Sequence, residues 1–253
     1  MIAQLIYYVL TAALRDKLLL SVFLMIIVGA ALAQFVGGSA VVEQDYFSLV
    51  FAASGMRIAM ILTLVLFVCF FIRRLFDSKD IEFLLSRPVG KLQLLGSFSF
   101  AFSLIAVLVC LAILPAFYLL SPSHFSLGYI LWWFSVVVES VVMVNAAMFF
   151  ALYMNSATTS ALSSLSLYIL GRMMGQILGI IYSDFGNMSG PMASSMKLVS
   201  TMVPRFDLMG QTQWLIYGAD NGSWYFGFFA LQGILYSFLL FMAASLDLWK
   251  RQF

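Results

Sequence analysis

Residues 60–72, MILTLVLFVCFFI, and 98–120, FSFAFSLIAVLVCLAILPAFYLL, are long apolar runs without a single Lys, Arg, Asp or Glu. About 20 such residues cross roughly 30 Å of hydrocarbon as a helix rising about 1.5 Å per residue. Hydropathy places comparable runs at 18–38, 50–72, 95–118, 130–153, 161–182 and 224–246. None shows the ten-residue alternation of an outer-membrane barrel strand. The expected fold class is therefore an all-α membrane protein with about six transmembrane helices, built as a single transmembrane domain over residues 1–253. Composition agrees: 63% of the chain is hydrophobic and 9% charged, where soluble domains carry about 25% charge.

The lead-in MIAQLIYYVLTAALRDK is mixed in character and ends in Arg15, Asp16 and Lys17. It suits an N-terminal helix lying in the membrane interface, with a plain extension of the first crossing as the alternative. Met1 to Leu14 lacks Lys and Arg, so no cleaved signal peptide is expected. Orientation follows from the basic residues of the short joins. Arg15 and Lys17 precede the first run, Arg73, Arg74, Lys79, Arg87 and Lys91 separate the second from the third, and Lys250 and Arg251 follow the last. The joins holding Glu43 with Asp45, and SPSHFSLG, have none. Both termini and residues 73–91 are thus expected in the cytoplasm, and the stretch from Ser183 to Ser223 outside. That stretch is apolar enough to fold back as short re-entrant helices, since long structureless loops are uncommon.

Familiar catalytic devices are missing. There is no GxxxxGK[ST] loop to cradle phosphates, GNMSGPM lacks the GxSxG spacing of a nucleophile elbow, and the one histidine, His124, sits in a loop. Cys69 and Cys110 lie inside apolar runs and read as small hydrophobes. No catalytic, metal or cofactor site is expected on this chain, and a net charge of +2 is too small to argue for nucleic acid.

Three charges fall within the runs: Arg57, Glu139 and Arg172. Each costs at least about 2.5 to 3.5 kcal/mol to insert, so such groups mark pairs or pathways. Glu139 and Arg172 both fall ~15 Å below the outer face at the helical rise, which suits a pair between neighbouring helices. One reading leaves Arg57 snorkelling to the interface. The other brings all three together as an anion-attracting position on a route through the protein. Gly171, Gly175 and Gly179, four apart, form a small-residue face for helix packing or a subunit interface.

Between the second and third runs lies RRLFDSKDIEFLLSRPVGK, residues 73–91. Ile81, Leu84 and Leu85 fall at i, i+3 and i+4, Asp77, Asp80 and Glu82 lie early, and Arg87 lies late. Acid at a helix start and base at its end complement the macrodipole, Asp77 or Ser78 can cap it, and Pro88 stops it. A short amphipathic cytoplasmic helix results, suited to a groove on a soluble partner.

FDSKDIEFLLSRPVGKLQLLGSF resembles the segment after the second membrane helix in type-2 permease subunits of ATP-binding cassette transporters, where an acidic stretch leads into LL-S-x-P-V-x-[RK]. Asp80, Glu82, Leu84, Leu85, Ser86, Pro88, Val89 and Lys91 match; the Gly-Thr common in the lead-in is absent. MVPRFDLMG, before the last run, is similar to the Pro-containing segment that these permeases place outside. The resemblance implies a permease subunit, more often an exporter, in a bacterial cytoplasmic (inner) membrane. It implies a second permease copy, separate ATPase subunits carrying ATP and Mg, and periplasmic or accessory proteins as further partners. Residues 77–88 would be the helix that couples this chain to the ATPase. Alternatives without that engine are an ion-gradient carrier or a non-transporting membrane scaffold.

Overall fold

A computed structural model describes residues 2–38, 44–79, 90–120, 126–182, 191–218 and 222–250. Every secondary-structure element among them is a helix. In chain order they are α1 (Ile2–Arg15), α2 (Leu18–Gly38), α3 (Gln44–Asp77), α4 (Lys91–Leu120) and α5 (Leu127–Tyr153). There follow α6 (Ala157–Tyr182), the short α7 (Pro191–Met202), α8 (Phe206–Met209) and α9 (Trp214–Tyr217), and finally α10 (Gly222–Lys250).

Five of these, α2, α3, α4, α5 and α10, are long and apolar enough to cross a membrane. The protein is thus an all-helical, multi-pass membrane protein. α6, which holds the run expected at 161–182, is 26 residues long. It runs back along α5 after a link of three residues, with Ser160 Oγ 3.2 Å from the Phe150 carbonyl that it faces.

The bundle is built around α5. In that helix 78% of the membrane-length stretch is buried, against 22% in α2 and 17% in α10. Every other long helix except α2 packs directly on it. Lipid tails are as apolar as leucine and supply no hydrophobic drive between helices, so close packing and internal polar contacts hold such a bundle. The polar part lies along α5: Ser135, Glu139, Ser140 and Asn145 are all buried. Asn145 donates to Ser103 Oγ at 3.2 Å and accepts from Ser99 Oγ, which ties α5 to α4.

At the end where α3 finishes, α1, α3 and α4 meet in an aromatic cluster. Phe71 of α3 lies 6.1 Å from Tyr8, 6.3 Å from Phe98 and 5.7 Å from Phe102, ring centre to ring centre. The N-terminal helix is an element separate from the first crossing. Lys17 takes a left-handed conformation, φ 56°, which ends the ladder of α1 two residues beyond Arg15. Leu5, Val9, Ala12 and Ala13, at helical spacing, are the residues it buries. Arg74 donates to both oxygens of Asp16, fastening the turn after α1 to the last turn of α3. Lys91 at the start of α4 reaches the Leu248 carbonyl at 3.4 Å, so the last turn of α10 lies at this same end.

Candidate functional site

The intramembrane charges converge. Trp132, Ser135 and Glu139 follow at i, i+3 and i+7 along α5, one face of a helix, and that face looks onto Arg57 of α3. Arg57 Nη1 donates to Glu139 Oε2 at 2.9 Å and to the Met209 carbonyl at 2.7 Å. Its Nη2 donates to Ser135 Oγ at 2.9 Å, and the guanidinium carbon stands 5.3 Å from the centre of the Trp132 ring. Arg57 is 1% and Glu139 0% exposed. The fork geometry of the guanidinium suits this arrangement: one nitrogen serves the carboxylate and the turn at Met209, the other the hydroxyl.

Arg172 of α6 completes the cluster at longer range. Its Nε is 3.7 Å from Glu139 Oε1, its Nη1 donates to the Phe206 carbonyl at 3.3 Å, and its side chain keeps 24% exposure. The pairing thus differs from the reading in which Glu139 and Arg172 pair while Arg57 snorkels. The buried partner is Arg57, and Arg172 is the outlying cation. The reason is where α3 begins. It starts at Gln44, six residues before its apolar run at 50, so Arg57 lies 13 residues into the helix, level with Glu139. Two arginines and one glutamate leave the cluster with one net positive charge.

The carbonyls that these arginines hold, Phe206 and Met209, are the first and last of α8. Residues 204–210 dip between α5 and α6, and the glycines of α6 make room for them. A Cβ at Gly171 would lie 2.6 Å from the Phe206 ring and 2.7 Å from the Pro204 carbonyl, and one at Gly175 2.6 Å from Asp207 Oδ2. A Cβ at Gly179 would meet none of the described residues within 4 Å. The small-residue face therefore receives this chain's own segment 204–207 at Gly171 and Gly175. Gly210 lies against the Arg172 guanidinium, which a Cβ there would displace. Asp207 is held by Arg205, Nη2 to Oδ2 at 2.7 Å, so that pair adds no net charge.

Of the stretch expected to couple to a partner, Asp77 is described. It closes α3 and pairs with Arg73 one turn back, at 2.9 Å, so it belongs to α3 and does not begin a following helix. Asp80, Ile81, Glu82, Leu84, Leu85, Arg87 and Pro88 lie outside the described residues, as does His124. Cys69 and Cys110 are buried in α3 and α4, their sulfurs 3.9 Å from the Ala147 carbonyl and 3.6 Å from Ser140 Oγ respectively. Among the described residues no group of three or more His, Cys, Asp or Glu side chains forms a metal-binding set.

Sequence reasoning missed Ser135, Trp132 and the Met209 and Phe206 carbonyls as partners of the arginines. Ser135 carried a signal, since it lies one turn before Glu139 on the same face of α5; the carbonyls carried none. No protein-family model and no curated protein sequence matches the chain.

Proposed function

We propose that this chain is the membrane-spanning permease subunit of an ATP-binding cassette transporter, an exporter in a bacterial cytoplasmic membrane. It would work with a second permease copy and with separate ATPase subunits that carry ATP and Mg. The observation that carries this reading is the sequence of residues 80–89 at its place in the fold. DIEFLLSRPV joins the end of α3 to the start of α4, two membrane-length helices that meet there through Phe71 and Phe98. An acidic start, a leucine stripe and a proline stop are what a docking helix requires and a plain connector does not. The basic residues of this end, Arg15, Lys17, Arg73, Arg74 and Lys91, favour a cytoplasmic position for it, on the side where ATP is found.

The surrounding packing supports a mechanical role. A partner can bias a two-state membrane protein only by binding the two states differently. Movement imposed at residues 80–89 acts first on the ends of α3 and α4, which are joined to α1 by Asp16, Arg74 and the Phe71 cluster. Along α3 the same movement reaches Arg57, and through Arg57 the carbonyl of Met209 at the far end of the bundle. A single rigid helix thus links the proposed ATPase contact to the segment 204–210 that packs between α5 and α6.

The test is co-purification. Tagged chain, expressed with the ATPase encoded beside it, is expected to bring down that subunit and to show ATP hydrolysis that changes with added cargo. Purified chain that binds no ATPase and moves solute on an ion gradient would place it among the carriers instead.

A further inference from the structure

A lateral groove of about 360 Å³ runs between α3 and α6, lined by Ile58, Ile61 and Leu62 on one side and Leu165, Ile169 and Arg172 on the other. The lining falls at helical spacing on both helices, so it is one continuous face. Ile58, Leu62 and Ile169 are exposed at its rim. Among the described residues of this wall, Arg172 is the one charged group, and its guanidinium stands over the Tyr168 ring, 5.7 Å from the centre.

Arg172 lies against Glu139, which stands near the middle of α5, so this cation is near the middle of the crossing. An uncompensated charge there costs at least about 2.5 to 3.5 kcal/mol on insertion scales. Glu139 compensates it only in part. Arg57 holds Oε2 at 2.9 Å, while Arg172 Nε is 3.7 Å from Oε1, so two guanidiniums share one carboxylate. The other nearby carboxylate, Asp207, is held by Arg205. Arg172 Nη1 donates to the Phe206 carbonyl, and Nη2 donates to no described residue. Apolar walls, one surplus positive charge and a guanidinium edge without an acceptor together fit a compact apolar molecule with one anionic group.

We propose that this groove is a mid-membrane binding site for a compact amphipathic anion, its carboxylate, sulfonate or phosphate on Arg172 and its apolar body against Ile61, Leu62, Leu165 and Ile169. The ligand neutralises the cluster and supplies a charge-assisted acceptor to the guanidinium. A bilayer lipid does not fit, because its head group stays at the interface, ~15 Å from the midplane. The groove volume is within the range of ligand pockets, roughly 300–1,000 Å³. Transporters hold their substrates near this depth. On the permease reading above, this is the chemical class of the cargo; binding itself is a property of the chain and is tested without an ATPase.

Photolabelling of the full chain in phosphatidylcholine nanodiscs tests this, with a diazirinyl benzoate as the anionic probe and its methyl ester as the uncharged control. Mass spectrometry reads the labelled residues. The benzoate should label residues 58–62 and 165–173 in preference to the exposed face of α10 at residues 231–239, and excess naphthalene sulfonate should compete. The ester should label both regions alike. Arg172→Gln should lower the benzoate's preference about tenfold, the value of one charge-assisted hydrogen bond. Arg172→Lys should restore most of it, and Tyr168→Phe should change nothing, because that hydroxyl is buried. Ile169→Trp fills the groove away from Glu139 and Arg57, so it should abolish the preference in a protein that elutes and melts as wild type. Benzoate labelling as strong on α10 as in the groove, or a preference unchanged in both Arg172→Gln and Ile169→Trp, would overturn the proposal. So would efficient cross-linking of Ile169→Cys to a second copy, which would show the groove covered by protein.

Discussion

Arg57 and Glu139, 82 positions apart, form an ion pair at 2.9 Å that is shut off from solvent on both sides. Removing one partner strands the other, which costs about 3–5 kcal/mol for a buried pair. Glu139→Gln is therefore expected to lower unfolding stability in detergent by that order. The double replacement Arg57→Met with Glu139→Leu should cost less than Glu139→Gln alone, because the fully buried arginine leaves with its partner, while the part-exposed Arg172 loses its carboxylate in both variants. The double variant will still lose the bonds from Arg57 to Met209 and Ser135, but the Met209 carbonyl keeps a bond from Ser135 Oγ at 3.0 Å, so neither group is stranded. A double-mutant cycle on melting curves measures the coupling. Additive losses would show that the pair carries no stabilisation of its own.

The glycines of α6 make a prediction with an internal control. Gly171→Ala must displace the Phe206 ring or the Pro204 carbonyl, both part of the packed interior. Overpacking of this kind costs about 1–3 kcal/mol. Gly179→Ala meets none of the described residues and should be neutral or stabilising by about 0.5–1 kcal/mol, since alanine loses less backbone freedom in a helix. Thermal melting of the two variants side by side decides it. Equal losses at both positions would instead point to a partner along the whole glycine face.

Much of this architecture is visible in the amino-acid order, for a physical reason. Hydrocarbon demands about 20 apolar residues per crossing, and the runs expected at 18–38, 95–118 and 224–246 lie within α2, α4 and α10. The helices extend beyond the runs, as α3 does from 44 to 77 around 50–72, because the backbone ladder continues into polar residues. The charge pairing was legible only in part. Hydropathy sets depth along a helix axis but not which way a side chain points around it, so Glu139 and Arg172 matched in depth while Arg57 took the tight bond. The acceptors at Met209 and Phe206 are main-chain carbonyls, which every residue has. The partner of Gly171 lies in a segment 33 residues further on, and glycine spacing alone cannot distinguish it from another subunit.

The link between α1 and α3 predicts a response to acid. Arg74 donates to the Asp16 carboxylate and holds its pKa below the ordinary 3.8. A carboxylate lowered in the folded state contributes stability that is fully present above its unfolded pKa and is lost as pH falls through the folded value. Attachment of α1 should therefore be constant around neutral pH and weaken only in strong acid. The pair is part exposed, so Asp16→Asn should change global stability by less than about 1 kcal/mol. A spin label on a cysteine placed at the exposed Leu14 should become more mobile in Asp16→Asn and in acid. Unchanged mobility in both would mean that the buried face of Leu5, Val9 and Ala12 holds α1 without help.

The last prediction concerns the joint between α3 and α4. If Leu84 and Leu85 seat in a groove of an ATPase subunit, they are the apolar anchors of that contact. Removing such an anchor costs 2 kcal/mol or more, about a 30-fold loss in affinity. Leu84→Asp, or Glu82→Arg with its reversed charge, should then abolish cargo-dependent ATP hydrolysis by the complex. The membrane part should melt as wild type, because its packed centre lies along α5 and its charge cluster at Arg57, far along α3 from Asp77. Comparing ATPase stimulation with melting temperature separates the two effects. Hydrolysis that stays coupled in both variants would make the segment a charged connector, and the ATPase would have to be sought elsewhere on the Arg74 end of the bundle.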